Sequence, residues 1–254
     1  MDLMTFVDSA YALTPYFISC AREGLEFSEE REELPKLFKR LRSLGMEGEK
    51  IMKEAAKGAN PHKGMIFSGG ILCCCAGYLA GRPENDFADE DFPEILGEVS
   101  RKMTENLKRA PETHGEKLYI RYGIEGIRGE AARGFPHVLK EGIFYFEKLR
   151  QGGRTMNQAG LLTLLRYISA AEDTNMIIRS DYGTVLKIQE RLKEFLKTAG
   201  YEKQLEMLPD LDAYFVKKNI SPGGSADMLA LTYFLYFLRN IPCPFEAFDI
   251  ERGE

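Results

Sequence analysis

The sequence predicts an all-α protein, and three observations support this fold class. Apolar residues recur at intervals of three and four along most of the 254 residues, as they do on the buried face of a helix. The alternation typical of strands never persists, and LYIRYGI (118–124) is the one ambiguous segment. Gly, Pro or Asp bounds the helical stretches. We therefore predict a single helical domain of roughly ten helices over residues 1–254.

The predicted helices follow one another along the whole chain. In the first, over 3–23, Pro15 is expected to bend the helix and Gly24 to end it. In the second, over 30–57, Gly45 and Gly48 are expected to divide or kink the helix. An acidic, mobile surface loop is predicted at 81–93. The remaining helices are predicted at 63–80, 93–108, 135–150, 155–171, 182–199, 202–218 and 225–240.

Composition and charge disfavour several classes of partner. The chain has 34 basic and 39 acidic side chains, for a net charge of −5, and no basic stripe with interleaved aromatic residues, so we expect no nucleic-acid partner. The N-terminus lacks the basic and apolar regions of a signal peptide. The most apolar run, MLALTYFLYFL, is too short to span a membrane. We expect a cytoplasmic protein without a membrane partner.

The five cysteines are predicted to be small core residues of a reduced protein. Cys20, Cys73, Cys74, Cys75 and Cys243 are an odd number without CxxC spacing. Three adjacent helical residues point about 100° apart. The triplet therefore cannot hold one metal ion tetrahedrally.

Five polar segments between predicted helices are candidates for a functional site: NPHKG (60–64), THGE (113–116), YGIEGIRGEAARGFP (122–136), DTNMIIR (173–179) and SPGGSADMLA (221–230). A helix N-terminus that follows glycines offers free N–H groups and a positive dipole end, which suits phosphate oxygens. SPGGS has this composition, with Ser225 or Ser221 as the expected cap. A carboxylate in the first turn would repel bare phosphate but assist phosphate carried with Mg²⁺.

Acidic and basic residues in these segments indicate a polyphosphate and metal site in a cleft between helix ends. Structural interpretations stay open for several of them. Asp173 could be an N-cap, and Asp227 could complement a helix dipole. His137 is interpreted as a helix-start residue, whereas His62 on its glycine-flanked turn is assigned to the site. Neither a GxGxxG fingerprint nor a GxxxxGK[ST] loop occurs, which disfavours Rossmann and P-loop chemistry.

The five segments, in this order, resemble the triphosphoribosyl-dephospho-CoA synthase family, and the resemblance covers nearly the whole chain. It implies an all-helical enzyme that joins ATP to 3′-dephospho-CoA and releases adenine. The product, 2′-(5″-triphosphoribosyl)-3′-dephospho-CoA, is the precursor of the prosthetic group on the acyl carrier subunit of citrate lyase or of malonate decarboxylase. A hand-off to the transferase that loads the carrier protein is also implied.

From the chemistry of this reaction we hypothesise separate roles for the candidate residues. The triphosphate is expected to be held by His62, Lys63, Arg128, Arg179, Ser221, Gly223, Gly224 and Ser225. Mg²⁺ is expected to be bound by some of Glu130, Asp173 and Asp227, and a remaining carboxylate to deprotonate the acceptor hydroxyl. Glu130 is the first choice for this base, and the two aspartates have an equal chemical claim.

Two other functions are compatible with the same residues. The family pattern includes an upstream PKPG-type turn and an HxDM-like stretch, and the chain begins at Met1-Asp2, so we expect it to lack that segment. A non-catalytic nucleotide-binding or assembly protein would fit such a chain. An Mg²⁺-dependent all-α phosphohydrolase or ADP-ribosyl hydrolase would also use aspartates at helix junctions.

Overall fold

A computed structural model describes residues 1–82, 91–101 and 114–240. These residues are helical throughout their regular structure, which confirms the predicted fold class. A 3₁₀ helix covers Arg31–Glu33 and a π-helix covers His137–Gly142. The α-helices are α1 (Leu3–Tyr11), α2 (Thr14–Leu25), α3 (Pro35–Ala55), α4 (Lys63–Ala80), α5 (Asp91–Ser100), α6 (His114–Tyr122), α7 (Gly126–Ala132), α8 (Ile143–Gln151), α9 (Met156–Ala170), α10 (Thr174–Arg179), α11 (Tyr182–Thr198), α12 (Tyr201–Glu206), α13 (Leu208–Lys218) and α14 (Gly223–Asn240).

Two of the predicted helix breaks differ in the structure. The predicted first helix is two helices, α1 and α2, and Pro15 lies in the first turn of α2, where its missing N–H has no partner to lose. The expected break at Gly45 and Gly48 is absent, and α3 continues through both. A Cβ on Gly48 would lie 3.1 Å from the ring of Tyr16, so this glycine serves close packing.

Other predictions fall at altered boundaries or outside the described residues. The ambiguous segment 118–124 is helical as far as Tyr122 in α6, and the predicted helix 202–218 is divided at Met207. Most of the predicted loop 81–93 and the second half of the predicted helix 93–108 lie outside the described residues, as do Thr113 and Cys243.

The core forms around α2 and α4, which cross very closely. A Cβ on Gly24 would overlap the carbonyl oxygen of Cys74, and one on Gly77 would overlap that of Ala21. Only glycine permits this approach of two backbones.

The four cysteines in the described residues are buried in this core, as predicted. Burial raises the pKa of the Cys20 thiol to about 11 and that of Cys73 to about 12. Burial also holds the pKa of Cys75 well above its usual range. These thiols are therefore poor nucleophiles and metal ligands.

Among the described helices, α4 alone is long and apolar enough to cross a membrane. The sequence-based expectation concerned a different segment, the apolar run at 228–238. In the structure, 72% of α4 is buried inside the fold. Buried core helices are often equally long and apolar, so length and composition are weak evidence for a membrane span.

Candidate active site

The beginnings of α10 and α14 are joined by the carboxylate of Asp173, which is 2% exposed. Its Oδ1 accepts hydrogen bonds from the backbone N–H groups of Asn175 and Met176, at 3.0 and 3.2 Å. Its Oδ2 accepts from the backbone N–H and the hydroxyl of Ser225, at 2.8 and 2.9 Å. The N-cap interpretation of Asp173 is confirmed, and the same side chain also holds the first turn of α14.

This contact gives a structural reason for the two glycines of SPGGS. A Cβ on Gly224 would lie 3.1 Å from the carboxylate of Asp173, and one on Gly223 would lie 2.8 Å from the side-chain amide of Asn175. The glycines let α10 approach α14. Ser225 is the third residue of α14 and donates to Asp173, so the expectation that it caps the helix is wrong.

Asp227 joins the beginning of α14 to the beginning of α4. Its carboxylate lies against Gly64, where a Cβ would overlap Oδ2. Within the described part of the chain, no hydrogen bond reaches this carboxylate. Burial, followed by the nearby charge of Asp173, raises the pKa of Asp227 to about 7.

Glu172 attaches the beginning of α7 to the same place. Its Oε2 accepts hydrogen bonds from the backbone N–H groups of Glu125 and Gly126, at 3.1 and 3.0 Å. Gly126 has a φ of +56°, and a Cβ there would lie 2.8 Å from the Thr174 methyl group. Four polar segments therefore meet where α4, α7, α10 and α14 begin. We call this the helix-start junction: Gly64, Gly126, Glu172, Asp173, Ser225 and Asp227.

Lys63 precedes Gly64 of the helix-start junction along the chain, whereas the ring of His62 packs away from the junction. Lys63 is the first residue of α4, its side chain is 62% exposed, and Nζ lies 3.8 Å from Oε1 of Glu49. The ring of His62 is buried against α1, with Nε2 at 3.1 Å from the Ser9 hydroxyl and 4.5 Å between the ring centroids of His62 and Phe6. The role of His62 in phosphate binding stays a prediction.

The other predicted phosphate-binding residues are distributed unevenly. Arg128 lies two residues after Gly126 and donates to Oε1 of Glu116 at 3.0 Å. Arg179 ends α10, so it lies about 9 Å along the helix axis from the junction, with Nη1 3.5 Å from Oδ1 of Asn219. Ser221 is half-buried just ahead of α14.

Glu130 forms a pair with His137 that the sequence analysis did not foresee. Glu130 is 3% exposed, and its Oε1 accepts a hydrogen bond from the backbone N–H of His137 at 2.8 Å. Its Oε2 lies 2.8 Å from Nδ1 of the same residue, and this hydrogen bond raises the pKa of His137. A tight turn with Gly134 at φ +75° and Phe135 at φ +53° makes the pairing possible. His137 also starts the π-helix, as interpreted from the sequence.

The three predicted carboxylates do not form one metal site. Among the described residues, no group of three His, Cys, Asp or Glu side chains could hold a metal ion. Glu130 and Asp173 each have both oxygens engaged by protein donors. Asp227 is the remaining carboxylate. The donor set fits a cation that arrives with other ligands and takes one carboxylate from the protein.

An open cavity of about 460 Å³ lies away from the predicted site residues, at the turn between α11 and α12. Its lining contains no member of the helix-start junction. The lining residues are Phe195, Thr198, Ala199, Gly200, Tyr201, Glu202 and Lys203.

Comparison with known proteins decides between the candidate functions. The CitG family model, described as ATP:dephospho-CoA triphosphoribosyl transferase, matches residues 1–243. The chain belongs to this family. It is therefore a transferase that uses ATP and dephospho-CoA, and the enzyme class implied by the resemblance is confirmed.

Individual relatives agree with the family match. A protein of Lactiplantibacillus plantarum named "Probable 2-(5''-triphosphoribosyl)-3'-dephosphocoenzyme-A synthase" is 35% identical over 240 residues, or 92% of this chain and 84% of the relative. A Vibrio cholerae protein of the same name is 34% identical over 94% of this chain and 77% of the relative. Protein CitXG of Leuconostoc mesenteroides subsp. cremoris is 35% identical over 92% of this chain, which matches 51% of that protein. No solved structure matches the chain.

Proposed function

We propose that the chain transfers the 5-triphosphoribosyl group of ATP to the 2′-hydroxyl of 3′-dephospho-CoA and releases adenine. The family match over residues 1–243 carries this proposal. The helix-start junction supports it, because four of the five segments that resemble the family meet there. The triphosphate must stay bound while the glycosidic bond, several bonds away, breaks. Rigidly positioned binding groups are needed for this.

Two long helices at the junction are suited to hold the triphosphate. Helices α4 and α14 each have 18 residues and begin side by side. Their N-termini carry partial positive charge. Lys63 lies in the first turn of α4 with most of its side chain exposed, so its ammonium group can reach a phosphate oxygen. The carboxylate of Asp173 keeps its charge, but its four hydrogen bonds to protein donors hold it in place at the base of the junction.

Mg²⁺ fits the proposed site as an ion that arrives with ATP. Such ions keep several waters and take one or two carboxylates together with phosphate oxygens. Asp227 is the carboxylate that would hold it. When bound, the ion would neutralise phosphate charge and favour the ionised form of Asp227. Glu130 and Asp173 are less suited as ligands than Asp227, because protein donors already engage both of their oxygens.

The product would be the precursor of the prosthetic group of citrate lyase or malonate decarboxylase. We place the enzyme in the cytoplasm, where it would hand the product to the transferase that loads the carrier protein. Both statements rest on the family's chemistry.

The test is a complete reaction with each component omitted in turn. Purified protein is mixed with ATP, Mg²⁺ and 3′-dephospho-CoA, and free adenine and the coupled product are followed by chromatography with mass detection. Equal amounts of adenine and product, formed only when both substrates are present, are expected. Adenine release without the acceptor would indicate a hydrolase, and ATP binding without turnover would indicate a non-catalytic protein.

Asp227→Asn tests the proposed metal contact separately. We expect it to weaken ATP binding in Mg²⁺ at least tenfold and to change binding in EDTA much less. Asp212→Asn, at an exposed position on α13, is the matched control. Equal losses with and without Mg²⁺ would contradict the metal contact while leaving the reaction itself in place.

A further inference from the structure

Both carboxylate oxygens of Glu130 are occupied by His137, although Glu130 was the first choice for the catalytic base. One oxygen accepts the backbone N–H and the other lies 2.8 Å from Nδ1. The Glu130 side chain is only 4% exposed. Glu130 therefore has neither a free oxygen nor the access to solvent that contact with a substrate hydroxyl needs.

His137 has the solvent access and, among the described residues, the unpaired polar atom that Glu130 lacks. Its side chain is 30% exposed, and its Nε2 has no hydrogen-bond partner among the described residues. An ionised carboxylate only accepts hydrogen bonds, so Nδ1 carries the hydrogen and Nε2 of the neutral ring keeps its lone pair. A histidine oriented in this way by a buried carboxylate is a recurrent base in acyl transfer enzymes.

The pair lies close to the helix-start junction along two independent paths. Glu130 is four residues after Gly126 on α7, which is about 6 Å along the axis. Glu130 is also near Tyr167, whose pKa is raised mainly by burial and to a smaller extent by the charge of Glu130, and whose hydroxyl lies 2.6 Å from that of Thr232. Thr232 is five residues after Asp227 on α14, or about 7.5 Å. The separation between the Glu130–His137 pair and the helix-start junction suits a substrate whose reacting ribose carbon lies a few bonds from the bound triphosphate.

We propose that His137 is the general base for the acceptor hydroxyl and that Glu130 is its positioning residue, an inference that rests on the proposed function. Nε2 takes the proton of the 2′-hydroxyl as its oxygen bonds to C1′ of the ATP ribose. The bond from C1′ to N9 breaks, and its electron pair leaves with adenine. Adenine takes a proton from water and the imidazolium returns one to water, so the net reaction neither consumes nor produces protons.

Several charged groups act on His137 from the elements around it. Glu130 on α7 and Glu141 on the π-helix favour the imidazolium, whereas Arg133 at the end of α7 opposes it. Tyr167 of α9, whose hydroxyl lies against Gly142 of the π-helix, stays neutral because burial raises its pKa. A base works when deprotonated, so kcat should rise with pH through the pKa of His137 and form the acidic limb of the profile.

The decisive variant is His137→Asn. The Asn amide nitrogen can replace Nδ1 as the donor to Glu130 while Nε2 is removed, so the fold is expected to survive. We expect kcat to fall by about 10² to 10⁴-fold, with the ATP dissociation constant changed less than threefold and the acidic limb lost. Glu141→Gln, which removes an exposed charge near the same ring, is the matched control and should keep kcat within about threefold.

Glu130→Gln tests the positioning role. It keeps the shape of the side chain but removes the charge, so the acidic limb should move to lower pH and kcat should fall less than in His137→Asn. Thermal unfolding of each variant identifies any loss of fold. If the wild type makes adenine and product while His137→Asn keeps full kcat and its acidic limb, the dyad proposal is wrong and the proposed function stands. If the wild type makes no product, the proposed function itself fails.

Discussion

Replacing Asp227 with Asn should stabilise the folded protein at neutral and alkaline pH while harming its proposed function. The folded-state pKa of Asp227 is about 7, against an ordinary value of 3.8. The folded state therefore holds the proton more tightly than the unfolded state. Ionisation of Asp227 destabilises the fold, and this cost appears as pH rises above about 4 and is complete above about 7.

The size of the effect follows from the pKa difference. About 3 units correspond to about 4 kcal/mol as an upper bound. Asp227 keeps some exposure, so solvent reduces the cost, and we expect roughly 2 kcal/mol at pH 8 after that discount. For a domain of this size, this is an increase in Tm of about 4 to 8 °C. Removing the charge should therefore weaken the proposed binding of Mg²⁺ and ATP while it raises the free energy of unfolding, a trade-off found at many active sites.

The assay is thermal unfolding of wild type and Asp227→Asn at pH 4, 6 and 8 without ATP or Mg²⁺. The difference in Tm should be near zero at pH 4 and largest at pH 8. Asp212→Asn should show no such trend, because Asp212 is exposed on α13. A lower Tm for Asp227→Asn at pH 8 would refute the reasoning, since it would mean that the ionised carboxylate has stabilising partners.

Three further substitutions test other contacts of the junction. Asp173→Asn turns an amide toward backbone donors and should lower the free energy of unfolding by about 2 to 4 kcal/mol; an unchanged urea midpoint would contradict the four-bond cap. Gly64→Ala should lower the free energy of unfolding by about 1 to 3 kcal/mol. Adding Asp227→Ala to the same chain should recover most of this loss, and no recovery would mean that overlap with the Asp227 carboxylate is not the cause. Lys63→Gln should raise KM for ATP several-fold with unchanged Tm, because the side chain is exposed; an unchanged KM would remove Lys63 from the phosphate site.

The helical period predicted the elements well where helices end at local signals. The predicted bounds of 63–80 coincide with α4. The predicted helix ends were wrong where tertiary packing determines whether a helix continues. Gly45 and Gly48 read as breakers but lie inside α3, because the ring of Tyr16 packs against the backbone at Gly48 and offsets the poor helix propensity of glycine. Sequence spacing does not reveal such a partner.

The sequence identified the polar residues of the candidate site better than it identified the contacts between them. Asp173 and Asp227 were identified because carboxylates next to glycine-rich helix starts are unusual. Their different states depend on partners from other helices, which a single sequence does not display. The link between Glu130 and His137 crosses a turn with two positive φ angles. The Gly-Phe-Pro between them was a signal for that turn, although it did not specify the pairing.

Glu172 and Asp173 are consecutive residues, and together they hold the beginnings of α7, α10 and α14. A local opening that displaced this one peptide unit would release three helix starts at once. The free energy of opening is therefore shared across the junction, and the amides at these helix starts form one cooperative unit of exchange with solvent. Fluctuations of the junction would be all or none, so the proposed anchor for the triphosphate would be either fully assembled or fully absent.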